Sequence, residues 1–175
     1  MKTEIVVGFA GSGKSTYLSN NFSHGNVIYH DEWAKTFYRS EEARKLIKEH
    51  TDESNITKKN LVDCLIKDQK FYEEYSELGK YCFSEHIIER LEADERVDAI
   101  EVPFLYELFN EIKGRFDVEV VFIQRDVFDC LDTLNYGRHW SKDRINMTIP
   151  RQIKNYVDLK HVIDRTIITF PEFRD

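Results

Sequence analysis

Gly8-Phe9-Ala10-Gly11-Ser12-Gly13-Lys14-Ser15, followed by Thr16, is the stretch on which the reading of the chain turns. It satisfies G-x-x-x-x-G-K-[ST], the loop that wraps the phosphates of a nucleoside triphosphate. Its surroundings agree. Glu4-Ile5-Val6-Val7 reads as a short buried strand, and Lys14 to Asn21 can open a helix, giving the strand, loop and helix that the motif requires. Gly8, Gly11 and Gly13 let the backbone bring its N–H groups, Ser12 and Thr16 among them, close to phosphate oxygens. The helix starting near Gly13 adds the positive end of its dipole. Lys14 can reach the β- and γ-phosphates, and the Ser15 hydroxyl is placed to ligate Mg²⁺. ATP and Mg²⁺ are the expected cofactors.

Outward from this loop, the chain alternates strand and helix. Val27-Ile28-Tyr29 reads as a second strand, ending at His30-Asp31-Glu32. Glu32 to Arg39 and Glu41 to His50 can be helical, and residues 57–96 form the longest helical stretch, with a break expected near Gly79. Val97 to Val102 is a third strand, stopped by Pro103 and followed by a helix from Leu105 to Ile112. Val118 to Ile123 is a near-continuous apolar run, as in a parallel strand covered on both faces. Asp126 can cap the next helix, which ends near Gly137. Ser141 starts a polar helical stretch, Pro150 suits the first turn of another, and residues 162–168 supply a last strand. The order argues for a single domain over 1–175: a three-layer α/β/α fold on a five-stranded parallel sheet, with right-handed crossovers. A nucleotide should lie at the carboxyl ends of the strands. Residues 41–96 then stand out as a helical insert, and 137–150 as a lid-like segment.

Composition narrows the partners. With 25 basic and 32 acidic residues the formal net charge is −7, which disfavours a broad nucleic-acid-tracking surface. No apolar stretch approaches a membrane span, and with Met1 leading directly into the first strand no signal peptide is expected. Cys64, Cys82 and Cys130 are odd in number and scattered without metal-type spacing, so reduced thiols in a cytoplasmic protein are expected.

Several side chains outside the loop can carry chemistry. Asp31 follows the second strand and should face the phosphate-loop edge, where a carboxylate can orient or deprotonate an attacking hydroxyl. Its structural alternative is an N-cap for the following helix. Arg138 and Arg144, in Gly137-Arg138-His139-Trp140-Ser141-Lys142-Asp143-Arg144, can close over a triphosphate and stabilise charge on the transferred group; solvated surface arginines are the alternative. Arg125 is open between a phosphate contact and an ion pair with Asp126 or Asp129. Glu101, in the third strand, and Glu32 are both candidates to assist a metal held by Ser15. Trp33 and Phe37 read as packing residues that could also stack on a flat ring. His139 reads as structural.

With these residues on the page, the chain resembles small-molecule kinases of the nucleoside-monophosphate-kinase-like group. Ile100-Glu101-Val102-Pro103-Phe104-Leu105-Tyr106-Glu107 is similar to a segment of dephospho-CoA kinases, and the later order of Ile123, Arg138, Gln152 and Asp164 follows that family too. Gly11 to Tyr17 with Asp31-Glu32-Trp33 resembles the polynucleotide kinase type, in which the first acid of the pair serves as base, here Asp31. Both resemblances imply a P-loop kinase fold and γ-phosphoryl transfer from ATP to a hydroxyl. The expected activity is therefore a phosphotransferase acting on a nucleotide- or nucleoside-like small molecule, at a hydroxyl in preference to a phosphate, for which Asp31 would serve only in positioning. In this reading Lys14, Asp31, Arg138 and Arg144 are catalytic and residues 41–96 build the acceptor site. A kinase of DNA or RNA ends is an alternative, with a groove of Lys35, Arg39, Lys58 and Lys59, as is an ATPase or switch protein that phosphorylates nothing. Adenine recognition would fall to the lid and to Thr169 to Pro171.

Overall fold

Five short segments assemble side by side, and the central ones, buried along most of their length, are covered by helices above and below. The computed structural model describes residues 2–51, 57–93 and 96–170. Its strands are β1 (Thr3–Val7), β2 (Val27–Tyr29), β3 (Ala99–Glu101), β4 (Val118–Gln124) and β5 (Arg165–Ile168), all parallel, in the order β2-β3-β1-β4-β5. The sheet is the expected one, and β1 lies at its centre. Neighbours on either side of β1 connect in opposite directions, so a crevice opens at its carboxyl end.

The helices are α1 (Lys14–Asn21), α2 (His30–Phe37), α3 (Glu41–His50), α4 (Lys58–Lys67), α5 (Gln69–Glu92), α6 (Phe109–Arg115), α7 (Val127–Asp132) and α8 (Lys142–Leu159). On one face of the sheet Leu18 of α1 packs with Val6, Val121 and Ile123. On the other, Phe83 and Ile87 of α5 and Phe109 and Ile112 of α6 enclose Ile5, Val7, Ile100 and Val120. Side chains alternate along each strand, so adjacent residues Ile5 and Val6 serve opposite layers. Helices α3, α4 and α5 also share a small core of their own around Ile47, Leu61 and Phe71. Among the described residues no helix is long and apolar enough to cross a membrane. The three cysteines are unpaired, and Cys130 is buried.

Three local readings of the sequence are corrected. The break in the long helical stretch falls at Asp68, not Gly79. Asp68 ends α4, and its carboxylate accepts from the Phe71 N–H at 2.9 Å to cap α5. Gly79 sits inside α5 beside the Phe37 ring, where a Cβ would make an ordinary contact at 3.5 Å. Second, Pro150 does not begin a helix. It lies within α8, which runs unbroken for 18 residues from its Ser141 cap. Proline removes one backbone donor, but Ile145, Ile149 and Gln152 keep one side of α8 buried through that point. Third, the helix after Pro103 begins at Phe109, and residues 105–108 stay outside it, pinned by Asn155, which accepts from Leu105 N at 2.7 Å and donates to Leu105 O at 2.9 Å.

Candidate active site

The loop between β1 and α1 is shaped by close backbone approach. Gly11 has φ +82°, and a Cβ on it would lie 2.7 Å from the Cys130 carbonyl oxygen. A Cβ on Gly8 would lie 2.5 Å from the Ile123 carbonyl. Only glycine fits either position. The loop is braced from three directions. Arg125 donates to Gly11 O at 3.2 Å, Thr169 donates to Ser12 O at 2.9 Å, and the Ala10 N–H donates to the side-chain oxygen of Gln152 at 2.8 Å. Of the two uses open to Arg125, it makes a third instead, supporting the loop backbone, while Asp126 caps α7 through Phe128 N–H at 2.8 Å. Ser12 is fully buried. Gly13, the residue before α1, has no side chain to cap the helix, whose first-turn amides are a natural anion seat. Thr16 is exposed in that turn.

Charges converge in front of the loop. Lys14 donates its ammonium to Gly8 O at 2.8 Å and Phe9 O at 3.1 Å. Burial pushes its pKa below the ordinary lysine value; Glu101 and Asp31 act in the opposite direction and Arg138 in the same one. Glu101 ends β3 directly beside Val6 of β1 and Tyr29 of β2. Burial raises its carboxyl pKa, Lys14 lowers it, and Asp31 raises it further. The Ser15 hydroxyl faces Glu101 Oε1 at 3.5 Å. The two oxygens belong to the hard-donor class that suits a small divalent cation such as Mg²⁺.

Asp31 lies two residues beyond Tyr29 at the same sheet edge. Helix α2 begins one residue before it, at His30, with Tyr29 as N-cap residue and no side-chain capping bond. The capping use of Asp31 is thus not realised, and its carboxylate is exposed toward Lys14, Glu101 and Arg144, each of which feels its charge. Glu32, one residue on, turns the other way, to His24 at 3.8 Å. Glu101 rather than Glu32 therefore shares the Ser15 corner.

The segment 137–150 comprises a short loop and the first half of α8. It is introduced by a single π-type turn, Thr133–Gly137, closed by Arg138 N–H donating to Thr133 O at 3.0 Å. His139 then adopts φ 50°, an uncommon conformation for a residue with a Cβ, and redirects the chain just after Arg138. Arg138 is close enough for its charge to bear on Lys14, Glu101 and Arg144. The Arg144 guanidinium lies over the Trp140 ring, 3.6 Å from its centroid. Burial lowers its pKa, against the pull of Asp31.

Beside this cluster a cleft of about 520 Å³ opens between α2, α5, the segment after β3, and α8. Trp33 and Phe37 stack on one another with centroids 4.7 Å apart and form one wall. Tyr72, Phe104 and Arg151 line others. The buried Gln152 joins cleft and loop: its Nε2 donates to Pro103 O at 3.0 Å while its oxygen holds Ala10.

All the sequence-assigned loop residues, together with Asp31, Arg138 and Arg144, thus meet at one sheet edge. Lys35 and Arg39 are exposed, and the side chains of Lys58 and Lys59 lie outside the described residues, as does Pro171. The bracing role of Gln152 was not assigned. A signal existed in the spacing Ile145, Ile149, Gln152, which puts a polar amide on the core face of a helix. Nothing in one sequence marks Arg151.

No protein-family model matches the chain, and no curated protein matches it either. Among solved structures it is similar to the protein TT1252 from Thermus thermophilus, with TM-score 0.68 and 15% identity over 98% of this chain and 90% of that one. It is also similar to dephospho-CoA kinase from Campylobacter jejuni, with TM-score 0.59 and 18% identity over 99% of this chain and 90% of that one. At such identities the likeness is one of fold: this chain's five-stranded parallel sheet with flanking helices matches the P-loop kinase architecture of these neighbours.

Proposed function

We propose that the chain is an ATP- and Mg²⁺-dependent kinase that transfers the γ-phosphoryl group to a hydroxyl of a nucleotide- or nucleoside-like small molecule. The observation that carries this reading is the meeting of Lys14, Ser15, Glu101, Asp31, Arg138 and Arg144 at one strand edge, next to a cleft large enough for such an acceptor. The loop from Gly8 to Thr16 holds the triphosphate, and Lys14 leaves the Gly8 and Phe9 carbonyls for β- and γ-phosphate oxygens. Ser15 would hold Mg²⁺ together with the phosphates, Glu101 supporting it through water. When bound, the ion neutralises charge on the β- and γ-phosphates.

Residues 41–96 wall the acceptor cleft, and 137–150 is the lid. Asp31 accepts the proton of the acceptor hydroxyl as its oxygen bonds to the γ-phosphorus and the bond to the ADP oxygen breaks. Arg138 and Arg144 balance charge spread over the transferred oxygens. The uneven surroundings of the two acids suit this division. Asp31 is exposed beside cations, whereas burial raises the Glu101 carboxyl pKa against the pull of Lys14.

The test is a phosphate-transfer screen with labelled ATP across nucleosides, monophosphates, dephospho-CoA and oligonucleotides, repeated with Asp31→Asn. With a hydroxyl acceptor the substitution should lower kcat by about 10²–10⁴-fold, the usual contribution of a positioned base. A loss of only a few-fold would refute the base role, because an acceptor that is already an ionised phosphate has no proton to lose.

A further inference from the structure

The edge of the sheet beyond β5 carries features that phosphoryl transfer does not use. β5 is the last strand, and no strand among the described residues pairs with its outer side. Sheet edges are ordinarily blunted by shortness, by proline or by lysine. The opposite edge, β2, is three residues long and runs straight into α2. Arg165-Thr166-Ile167-Ile168 has neither proline nor lysine. Its one charge is turned back along its own sheet, Arg165 reaching Glu4 at 2.5 Å and Glu119 at 3.5 Å. Apolar side chains collect beside this open edge. Phe128, Val157, Ile168 and Phe170 are each at least 60% exposed. Ile168 and Phe170 line a groove of about 370 Å³ together with Phe9, Phe122 and Tyr156. Val157 follows Tyr156 in α8, and Phe128 sits in α7 between Val127 and Asp129, which line the groove too. Thr166 is in register with Phe122, so Ile168, two residues on, shares the face of the sheet that α8 covers. Apolar surface gathered in this way marks an interface.

Charge decides what covers it. At the carboxyl end of the edge stand the acids of α7, Asp126 and Asp129 in the groove and Asp132 one turn further. Arg125, the cation at that end, is turned to Gly11 O. At the amino end, the single 3-10 turn Lys160–Val162 sets exposed Lys160 and His161 just ahead of the strand. The acids nearby are engaged elsewhere: Asp164 pairs with Lys113 at 3.1 Å, and Asp158 lines the cleft between α5 and α8. One end is acidic and the other basic. A two-fold axis perpendicular to the sheet lays two β5 strands antiparallel, with the carboxyl end of each beside the amino end of the other. The acids of α7 then meet Lys160 and His161 of the second copy, twice over. Val157 and Ile168 of both copies gather on the α8 face near the axis. A parallel pairing would set like charges together. We propose that β5 is the seam of a symmetric homodimer, in which two five-stranded sheets join into one. The partner is a second copy of this chain, and the seam stands apart from the kinase reading.

The test is sedimentation equilibrium of the full chain across about 1–100 μM, where wild type should reach twice the mass of one chain. Added salt should raise the dissociation constant by screening the paired ends. Ile168→Lys should raise it about tenfold or more, since it sets like charges near the axis. Two charge-reversed variants should do the same: Asp129→Lys with Asp132→Lys, and Lys160→Glu with His161→Glu. Melting midpoints confirm that each variant is folded. An equimolar mixture of the two charge-reversed variants should pair again, because both contacts in the mixed dimer are then of opposite sign. A substitution that merely damages the fold gives no such recovery. A wild type that stays single over this range, or assembly beyond two copies, would overturn the seam. So would a dimer indifferent to all three variants, or charge-reversed variants that fail to pair on mixing.

Discussion

Replacing Gln152 should separate what holds the phosphate loop from what occupies it. The side chain is 5% exposed and serves two backbone groups, accepting from Ala10 N–H at 2.8 Å and donating to Pro103 O at 3.0 Å. Gln152→Leu keeps approximate volume and orphans both. The Ala10 amide is enclosed and should cost about 1–3 kcal/mol, whereas the Pro103 carbonyl, at the cleft rim, costs less because water can reach it. Since the greater apolarity of leucine offsets part of this, the expected loss of stability is about 1–3 kcal/mol. Urea denaturation measures it directly. ATP-analogue affinity, measured well below the transition, should also fall, since Ala10 belongs to the loop itself.

Gln152→Glu sharpens the argument. Its carboxylate still accepts from Ala10 but confronts the Pro103 carbonyl oxygen with a second acceptor. Protonation restores a donor, so the folded state favours the neutral acid and the variant's carboxyl pKa rises. Its deficit relative to wild type should therefore be small at low pH and grow as pH rises through the unfolded glutamate value, about 4.3. A Gln152→Leu variant within 0.5 kcal/mol of wild type, taking that as roughly the limit of ordinary surface changes, would refute the bridge. So would a Gln152→Glu deficit that does not vary with pH.

Two other expectations concern the loop and the insert. Gly11→Ala should cost about 1–2 kcal/mol for φ +82° alone and more for its contact with the Cys130 carbonyl, whereas Gly114→Ala, in α6 with nothing within 4 Å of its Cβ, should stabilise by about 0.5–1 kcal/mol; paired denaturation curves check both. His50 stacks on Phe71 and faces Asp68 at 3.4 Å and Glu74 at 2.7 Å; the Phe71 N–H and His50 hold the Asp68 carboxyl below its ordinary value, and the His50 contact does so for Glu74. Stability from these two acids is present above their unfolded values, near 4, and is lost as pH falls through the lowered folded ones, so His50→Phe should flatten the pH dependence of urea midpoints below about pH 4.

Much of the site could be read from one chain because its parts are local. Eight consecutive residues fix the loop, and a strand ending at Tyr29 places Asp31 beside it once the sheet is parallel. The pairing of Glu101 with Ser15 needed the strand order, since residues 86 positions apart meet only when β3 lies next to β1. The break at Asp68 was hidden because its carboxylate caps the helix that follows, while Gly79, the obvious breaker, is held helical by the packing of α2 on α5. Pro150 misled for a related reason: an isolated proline reads as a start, but the buried face on both sides of it outweighs one missing hydrogen bond.

That unbroken α8 makes one rod of three tasks. Arg144 near its beginning feels the charge of Asp31, Gln152 at its middle grips the loop after β1, and Asn155 one turn further clamps the strand exit beside the cleft. A tilt of the rod moves all three together. In the proposed kinase, an acceptor pressing on the cleft end would thus be sensed at the far arginine, and a poorly fitting one would leave that arginine misaimed.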